Sequence, residues 1–361
     1  MSFLRRGCHF YAGKTIFGGN IVAIILASLA GLGLGYIIER GDFCFHSTLR
    51  GLVRRPPQLN LFRAYLLALL VATPVVWGLR AGGLIEPWIP PFVWQANIAG
   101  GVVFGIGMVV ASTCITGLFY KLGHGMLGTL VGLVTWAAGD ILTYQGPLSG
   151  LRAALNGPQV MVNGQSATAL NLLGPLGPGL VGLTGIAFAI WLWRSPRPDQ
   201  GTYWGWPLLG AAVGLFTGLV WLLAQTGGSN YTFGTSGVPT SLFLALTTGS
   251  PLWSAWITIA LVSLVPGAFI AASTAGALWV RGESVRRYLE LAVGGLLMGI
   301  GAAIAGGCNL GHALVGVPLL SLGSITTTVS MLAGVWLADR AIRVWGRGRV
   351  EAGHCGKTIN N

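Results

Sequence analysis

The sequence predicts an all-α integral membrane protein with about nine transmembrane helices in two inverted repeats, some of them broken or re-entrant. Three observations predict it. Of 361 residues, 53% are hydrophobic and only 8% are charged, with a mean hydropathy of +0.72, whereas a soluble domain carries about 25% charged residues. Apolar runs recur along the whole chain and leave no soluble stretch of domain size. A glycine-rich segment ending at a cysteine occurs twice, at one constant offset of 194 residues. The same composition excludes a disordered chain, a collagen-like repeat and a disulfide-rich scaffold, since there are only 5 cysteines and no Cys-x-x-Cys. The net charge of +12 does not imply nucleic acid. Its arginines lie between apolar runs, where anionic lipid and topology account for them. The 58 glycines fit close packing of membrane helices.

The runs that match a bilayer-spanning length are 20–38, 61–79, 96–113, 125–144, 178–193, 205–224, 253–273, 289–305 and 319–338. The first is full length and is followed by Glu39-Arg40-Gly41-Asp42 instead of a small-residue cleavage site, so it is read as a retained helix and not a signal peptide. After it, 39–51 is too polar for ordinary spanning helix and reads as a re-entrant or interfacial segment at the inner mouth of a cavity. The runs at 96–113 and 289–305 each end in a helix break. The run at 125–144 carries Asp140, the one carboxylate within an expected span, placed near its interfacial end. The run at 178–193 serves as a connector, and 205–224 contains Gly214-x-x-x-Gly218, a weak echo of the first run. This divides the chain into a basic N-terminal extension (1–19), a first repeat (20–144), a connector with one helix (145–204), a second repeat (205–338) and a tail (339–361).

With nine spans the termini lie on opposite faces. One face collects Arg50, Arg54, Arg55 and Arg63, then Arg194 and Arg197, then Arg281, Arg286 and Arg287, and then the basic tail. Positive residues stay cytoplasmic, which places the C-terminus inside and the N-terminus outside, although Arg5, Arg6 and Lys14 oppose this.

The repeat is Gly100-Gly101-x-x-Phe104-Gly105-x-Gly107-x-x-x-Ala111-x-x-Cys114-x-x-Gly117, matched by Gly294-Gly295-x-x-Met298-Gly299-x-Gly301-x-x-x-Ala305-x-x-Cys308-x-x-Gly311. Four spans per half with one connector reverse the second half, the arrangement of transporters whose site lies near the midplane. Small residues around Cys114 and Cys308 let each helix break, and irregular backbone at membrane depth is tolerated only where protein or a watery cavity satisfies it. Both breaks are therefore expected to line one cavity. A helix restarting there, at Gly117 or Gly311, directs N–H groups and its positive dipole end at an anion.

A third cysteine stands in Arg40-Gly41-Asp42-Phe43-Cys44-Phe45-His46-Ser47-Thr48-Leu49-Arg50-Gly51. This motif, the glycine-rich helix ending at Cys114-x-x-Gly117, and Gly306-Gly307-Cys308-Asn309-Leu310-Gly311-His312 together resemble the YeeE/YedE family of bacterial inner-membrane sulfur transporters, over roughly 21–340. The resemblance implies an hourglass-shaped importer of thiosulfate with Cys44, Cys114 and Cys308 contacting the ion along its path, no cofactor, and a small cytoplasmic sulfur-carrier protein as partner. Arg40 and Arg50 would attract the ion at a mouth, while Gly117, Gly307, Asn309, Gly311 and His312 would support the breaks. The chain departs from the family pattern in its N-terminal extension and in Ser112-Thr113, where a Gly-Gly pair is usual.

Thiols suit such cargo. Thiosulfate is a soft dianion, a thiol is a weak donor, and a thiol buried in apolar surroundings keeps its proton because desolvation disfavours the thiolate. Conduction needs several weak sites from which an ion can leave. A lone membrane cysteine is ordinarily just a small hydrophobe, but two at equivalent points of a duplicated break favour a function. Cys8 and Cys355 are assigned none. His312, one turn after Cys308, reads as orienting Asn309 or capping backbone and not as a metal ligand. His46 and His124 read as interfacial, and Glu39 and Asp42 as partners of Arg40 or Arg50. Two alternatives remain open: transport of another sulfur or selenium oxyanion, and a thiol oxidoreductase using Cys114 and Cys308.

Overall fold

The computed structural model describes residues 21–196 and 203–355, and the N-terminal extension with Arg5, Arg6, Cys8 and Lys14 lies outside them, as do Arg197 and Lys357. Among the described residues the regular structure is helical apart from one small hairpin of two two-residue strands, Met161–Val162 with Gln165–Ser166. Seven helical stretches among the described residues are long and apolar enough to cross a membrane, and they coincide with seven of the nine expected runs. The run at 125–144 forms a helix of only 16 residues, and that at 319–338 opens a helix of 34 residues. An 11-residue apolar helix, Val238–Thr248, was not expected at all. Hydropathy windows register apolar length but not where a chain breaks, so half-helices are merged with neighbours or missed.

The first half comprises α1 (Ile21–Arg40), α2 (Phe45–Val53), α3 (Asn60–Ala81), α4 (Trp94–Ala111), α5 (Ile115–His124) and α6 (Thr129–Tyr144). The connecting segment holds α7 (Ser149–Leu155), α8 (Ala169–Leu173) and α9 (Gly177–Trp193). The second half comprises α10 (Trp206–Thr226), α11 (Val238–Thr248), α12 (Ala255–Thr274), α13 (Val285–Ala305), a π-helix (Leu310–Gly316) and α14 (Leu322–Cys355).

The packing between the halves is reciprocal: a contact made by a helix of one half is matched by its counterpart in the other. α1 packs on α12 and α3 on α10; α6 packs on α13 and α4 on α14; α2 meets α14 and α11 meets α6. At the centre α4 lies against α13, and the repeat glycines explain how closely. A Cβ on Gly100 would come within 2.5 Å of Ala305 N, and a Cβ on Gly294 within 2.5 Å of Ala111 N. These contacts are reciprocal under the 194-residue offset, because Gly100 corresponds to Gly294 and Ala111 to Ala305. The start of α4 meets the end of α13, so the two run antiparallel. Internal prolines add to the correspondence, Pro74 in α3 and Pro266 in α12. By contrast α9 is peripheral, with Leu183, Ile186 and Trp193 exposed, an apolar surface suited to lipid.

Candidate functional site

Each repeated helix breaks at the expected cysteine, and the backbone shows how. Ser112 (φ 47) and Gly306 (φ 77) occupy equivalent positions and both adopt the left-handed conformation that ends a helix. Two residues later a cysteine sulfur accepts from the amides of the next turn. Gly117 N–H donates to Cys114 Sγ at 3.3 Å, and Leu310 N–H donates to Cys308 Sγ at 3.3 Å. After Cys114 an α-helix restarts, whereas after Cys308 the chain winds as a π-helix. Tyr65 donates to Ala313 O at 2.9 Å and Tyr231 to Gly311 O at 2.7 Å, so two tyrosines hold the carbonyls of that irregular turn.

The α1–α2 break brings Cys44 to the first of these sites. Its sulfur lies 3.8 Å from Cys114 Sγ and 3.8 Å from Thr113 Oγ1. Cys44 caps α2 and is 1% exposed. Phe43 and Phe45 on either side are buried as well, so the thiol is enclosed by protein and faces Cys114. Cys44, Cys114 and Cys308 are all buried and free. The thiols brought together are thus Cys44 and Cys114. A Cβ on Gly117 would stand 2.2 Å from Thr113 Oγ1 and 3.3 Å from Cys44 Sγ, so this glycine makes room for the pair.

A narrow cavity, with about 20 Å³ of internal space, roughly enough for one water molecule, joins the three motifs. Its lining includes Phe43 and Phe45 beside Cys44, Thr116 after Cys114, and Asn309 and Leu310 after Cys308. The cysteines stand one or two residues behind that lining. Asn309 Nδ2 donates to Thr116 Oγ1 at 3.1 Å, linking the two breaks, while Asn309 Oδ1 is buried without a partner.

A family model described as sulphur transport matches residues 40–337. The chain belongs to this sulphur-transport family. Among relatives, it is 33% identical over 325 residues to a protein of Spirochaeta thermophila called thiosulfate transporter TsuA, covering 85% of this chain and 96% of that one. It is 26% identical to the Escherichia coli protein of the same name, over 89% of this chain and 95% of the other. A shorter match, 29% identical over 43% of this chain and 37% of the relative, is to the probable transporter YedE of Salmonella typhimurium. As a member of the family, the chain is a multi-pass protein of the bacterial inner membrane that serves transport and not catalysis.

Several polar residues of this sulphur-transport chain sit differently from expectation. Glu39 pairs with His124 at 2.5 Å and Asp42 accepts from Tyr120 OH at 2.8 Å, so neither is the partner of Arg40 or Arg50. Arg50 instead reaches Asp339 on α14 at 3.2 Å, and Arg40 Nε is buried without a partner. Arg50 therefore ties α2 to α14. Asp140 is fully buried, not interfacial, and accepts from Gly237 N, Thr240 N and Thr240 Oγ1, which caps α11. His46 is buried, with both ring nitrogens unpartnered, and His124 is held by Glu39, so neither is the hydrated interfacial residue expected. His312, by contrast, takes the second of its expected roles, capping backbone: its ring bonds Ala305 O (3.2 Å) at the end of α13 and Ser324 Oγ (3.0 Å) on α14, and a Cβ on Gly307 would collide with that ring at 2.7 Å. Tyr65, Tyr231, Thr116 and Asp339 carry no repeat or motif that would single them out in sequence, because each acts through a partner distant in the chain.

Proposed function

We propose that this protein imports thiosulfate across the inner membrane through a central path at which Cys44, Cys114 and Cys308 supply weak, soft contacts. The observation that carries the reading is convergence: residues adjoining all three cysteines line one cavity, and a side chain from each break, Asn309 and Thr116, meets there. Two relatives covering most of the chain are named thiosulfate transporters, which supports carrying that cargo over. The reciprocal contact of α4 and α13 supports two inverted repeats, with the cavity between them as the site that either half opens to one face.

Free thiols fit the terminal sulfur of the ion, while the amides that start α5 and the π-helix favour its charge. Moving a dianion inward against roughly 100 mV costs about 4.6 kcal/mol, at ~2.3 kcal/mol per charge. Consumption inside the cell by a small sulfur-carrier protein would offset that cost. The test is uptake of labelled thiosulfate into liposomes holding the purified protein, with sulfite, sulfate and selenite as competitors. Thiosulfate should compete best. A stronger effect of another oxyanion would reassign the cargo.

A further inference from the structure

The two repeats treat their cysteines differently, and the difference suggests how the ion is oriented. In the first half, the break between α1 and α2 delivers a thiol, Cys44, to the cysteine that starts α5. In the second half, the corresponding break lies between α10 and α11, and the segment 231–235 packs against the start of the π-helix. A Cβ on Gly311 would touch Phe233 O, Gly234 Cα and Tyr231 OH at 3.6 to 3.8 Å. That segment delivers a hydroxyl instead of a thiol: Thr235 follows directly on Phe233 and Gly234, which pack against Gly311, three residues after Cys308. Thr235 is 0% exposed, yet its Oγ1 completes no hydrogen bond of ordinary geometry. Thr232, in the same segment and equally buried, also leaves its hydroxyl unpartnered.

A buried hydroxyl without a partner is costly, and native proteins retain one chiefly where water, an ion or a ligand completes it. Across from this segment, the other groups are the Cys308 thiol and the amide of Leu310, which donates to that sulfur at 3.3 Å. The set thus combines one soft donor with one hard donor and a backbone N–H group. Thiosulfate has that same duality, a soft terminal sulfur and three hard sulfonate oxygens.

We propose that Thr235 and Cys308 form a subsite in which the hydroxyl binds a sulfonate oxygen while the thiol meets the terminal sulfur, and that Thr235 determines discrimination among sulfur oxyanions. The inference rests on the proposed transport of thiosulfate. It differs from the Cys44–Cys114 pair, where two thiols meet and the neighbouring Thr113 hydroxyl is already engaged, 3.8 Å from Cys44 Sγ and 3.5 Å from Cys114 O. The first station then presents two thiols and an engaged hydroxyl, and the second one thiol and an unengaged hydroxyl.

The experiment measures initial rates of labelled thiosulfate uptake by liposomes holding equal amounts of folded wild type, Thr235→Val, Thr235→Ser or Cys308→Ala protein. Valine keeps the shape of threonine and removes the hydroxyl, so KM should rise about tenfold or more, as for loss of one hydrogen bond to a charged acceptor. Serine keeps the hydroxyl and should stay near wild type. Should the valine variant not insert, Thr235→Ala removes the same hydroxyl in a smaller side chain and is read in the same way. Wild-type KM in a folded valine or alanine variant, with Cys308→Ala inactive, would overturn the subsite and leave the transport reading intact. Absence of uptake by wild type would overturn the reading on which the subsite rests.

Discussion

The sulfur of Cys44 lies 3.8 Å from the sulfur of Cys114, although 70 residues separate them in the chain. Both are buried, and neither is joined in a disulfide. On the proposed path the two thiols would act as one station, so removing either leaves the other without its neighbour. Cys44→Ala and Cys114→Ala should each strongly reduce thiosulfate uptake. The double variant should be no worse than the poorer single variant, as residues of one unit are non-additive. Independent, multiplying losses in such a cycle would separate the two sulfurs into different steps.

The glycines that come after the two break cysteines should differ in tolerance. Gly117→Ala places a methyl group against Thr113 and Cys44 at less than contact distance, whereas the space beside Gly311 admits an ordinary Cβ. Uptake should fall sharply in Gly117→Ala and change little in Gly311→Ala, while Gly311→Leu should be inactive. Equal loss in both alanine variants, measured on inserted protein, would place a restriction at Gly311 beyond local packing.

Ser112 adopts φ 47 where its counterpart Gly306 adopts φ 77. A non-glycine residue held there costs on the order of 1 kcal/mol. Ser112→Gly should therefore raise the midpoint of thermal unfolding in detergent. Its Oγ contact to Val109 O is long, at 3.4 Å, and its loss offsets little. A lowered midpoint would mean that the serine hydroxyl supports the break more than its conformation strains it.

The repeat, the break positions and the gathering of the three motifs were legible in sequence because each leaves a linear mark: an offset of 194, small residues before a cysteine, and a polar segment after the first span. What acts through space was not. The charged flanks of Cys44 suggested Arg40 or Arg50 as partners, but Glu39 and Asp42 are consumed by His124 and Tyr120, and Phe43 and Phe45 enclose the thiol. Thr235 left no trace because it stands opposite a cysteine motif without sharing its residue type. The short helix α11 was missed since 11 residues fall below any spanning window.

Asp140 offers a check on the assignment of buried charge. It caps α11 through two amides and one hydroxyl, and none of these partners lines the cavity. Asp140→Ala should destabilise the protein by about 1–3 kcal/mol through the unmet donors. The uptake rate per folded molecule should be retained. A folded Asp140→Ala variant that binds thiosulfate but cannot move it would give this acid a part in transport.

Orientation follows from charge. A reporter fused after Asn361 should be active only in the cytoplasm, as the basic face that includes Arg286, Arg287 and Arg340 requires. Periplasmic activity would reverse the inward direction assigned to the path.

The most direct test of the central claim is uptake of labelled thiosulfate into liposomes carrying a well-inserted Cys114→Ala, Cys308→Ala double variant beside wild type. If thiols at the two breaks pass the ion along, the double variant should be inactive, and the serine versions should recover little, because a hydroxyl is a harder and more strongly hydrated group than a thiol. Undiminished uptake by the alanine double variant would contradict the account.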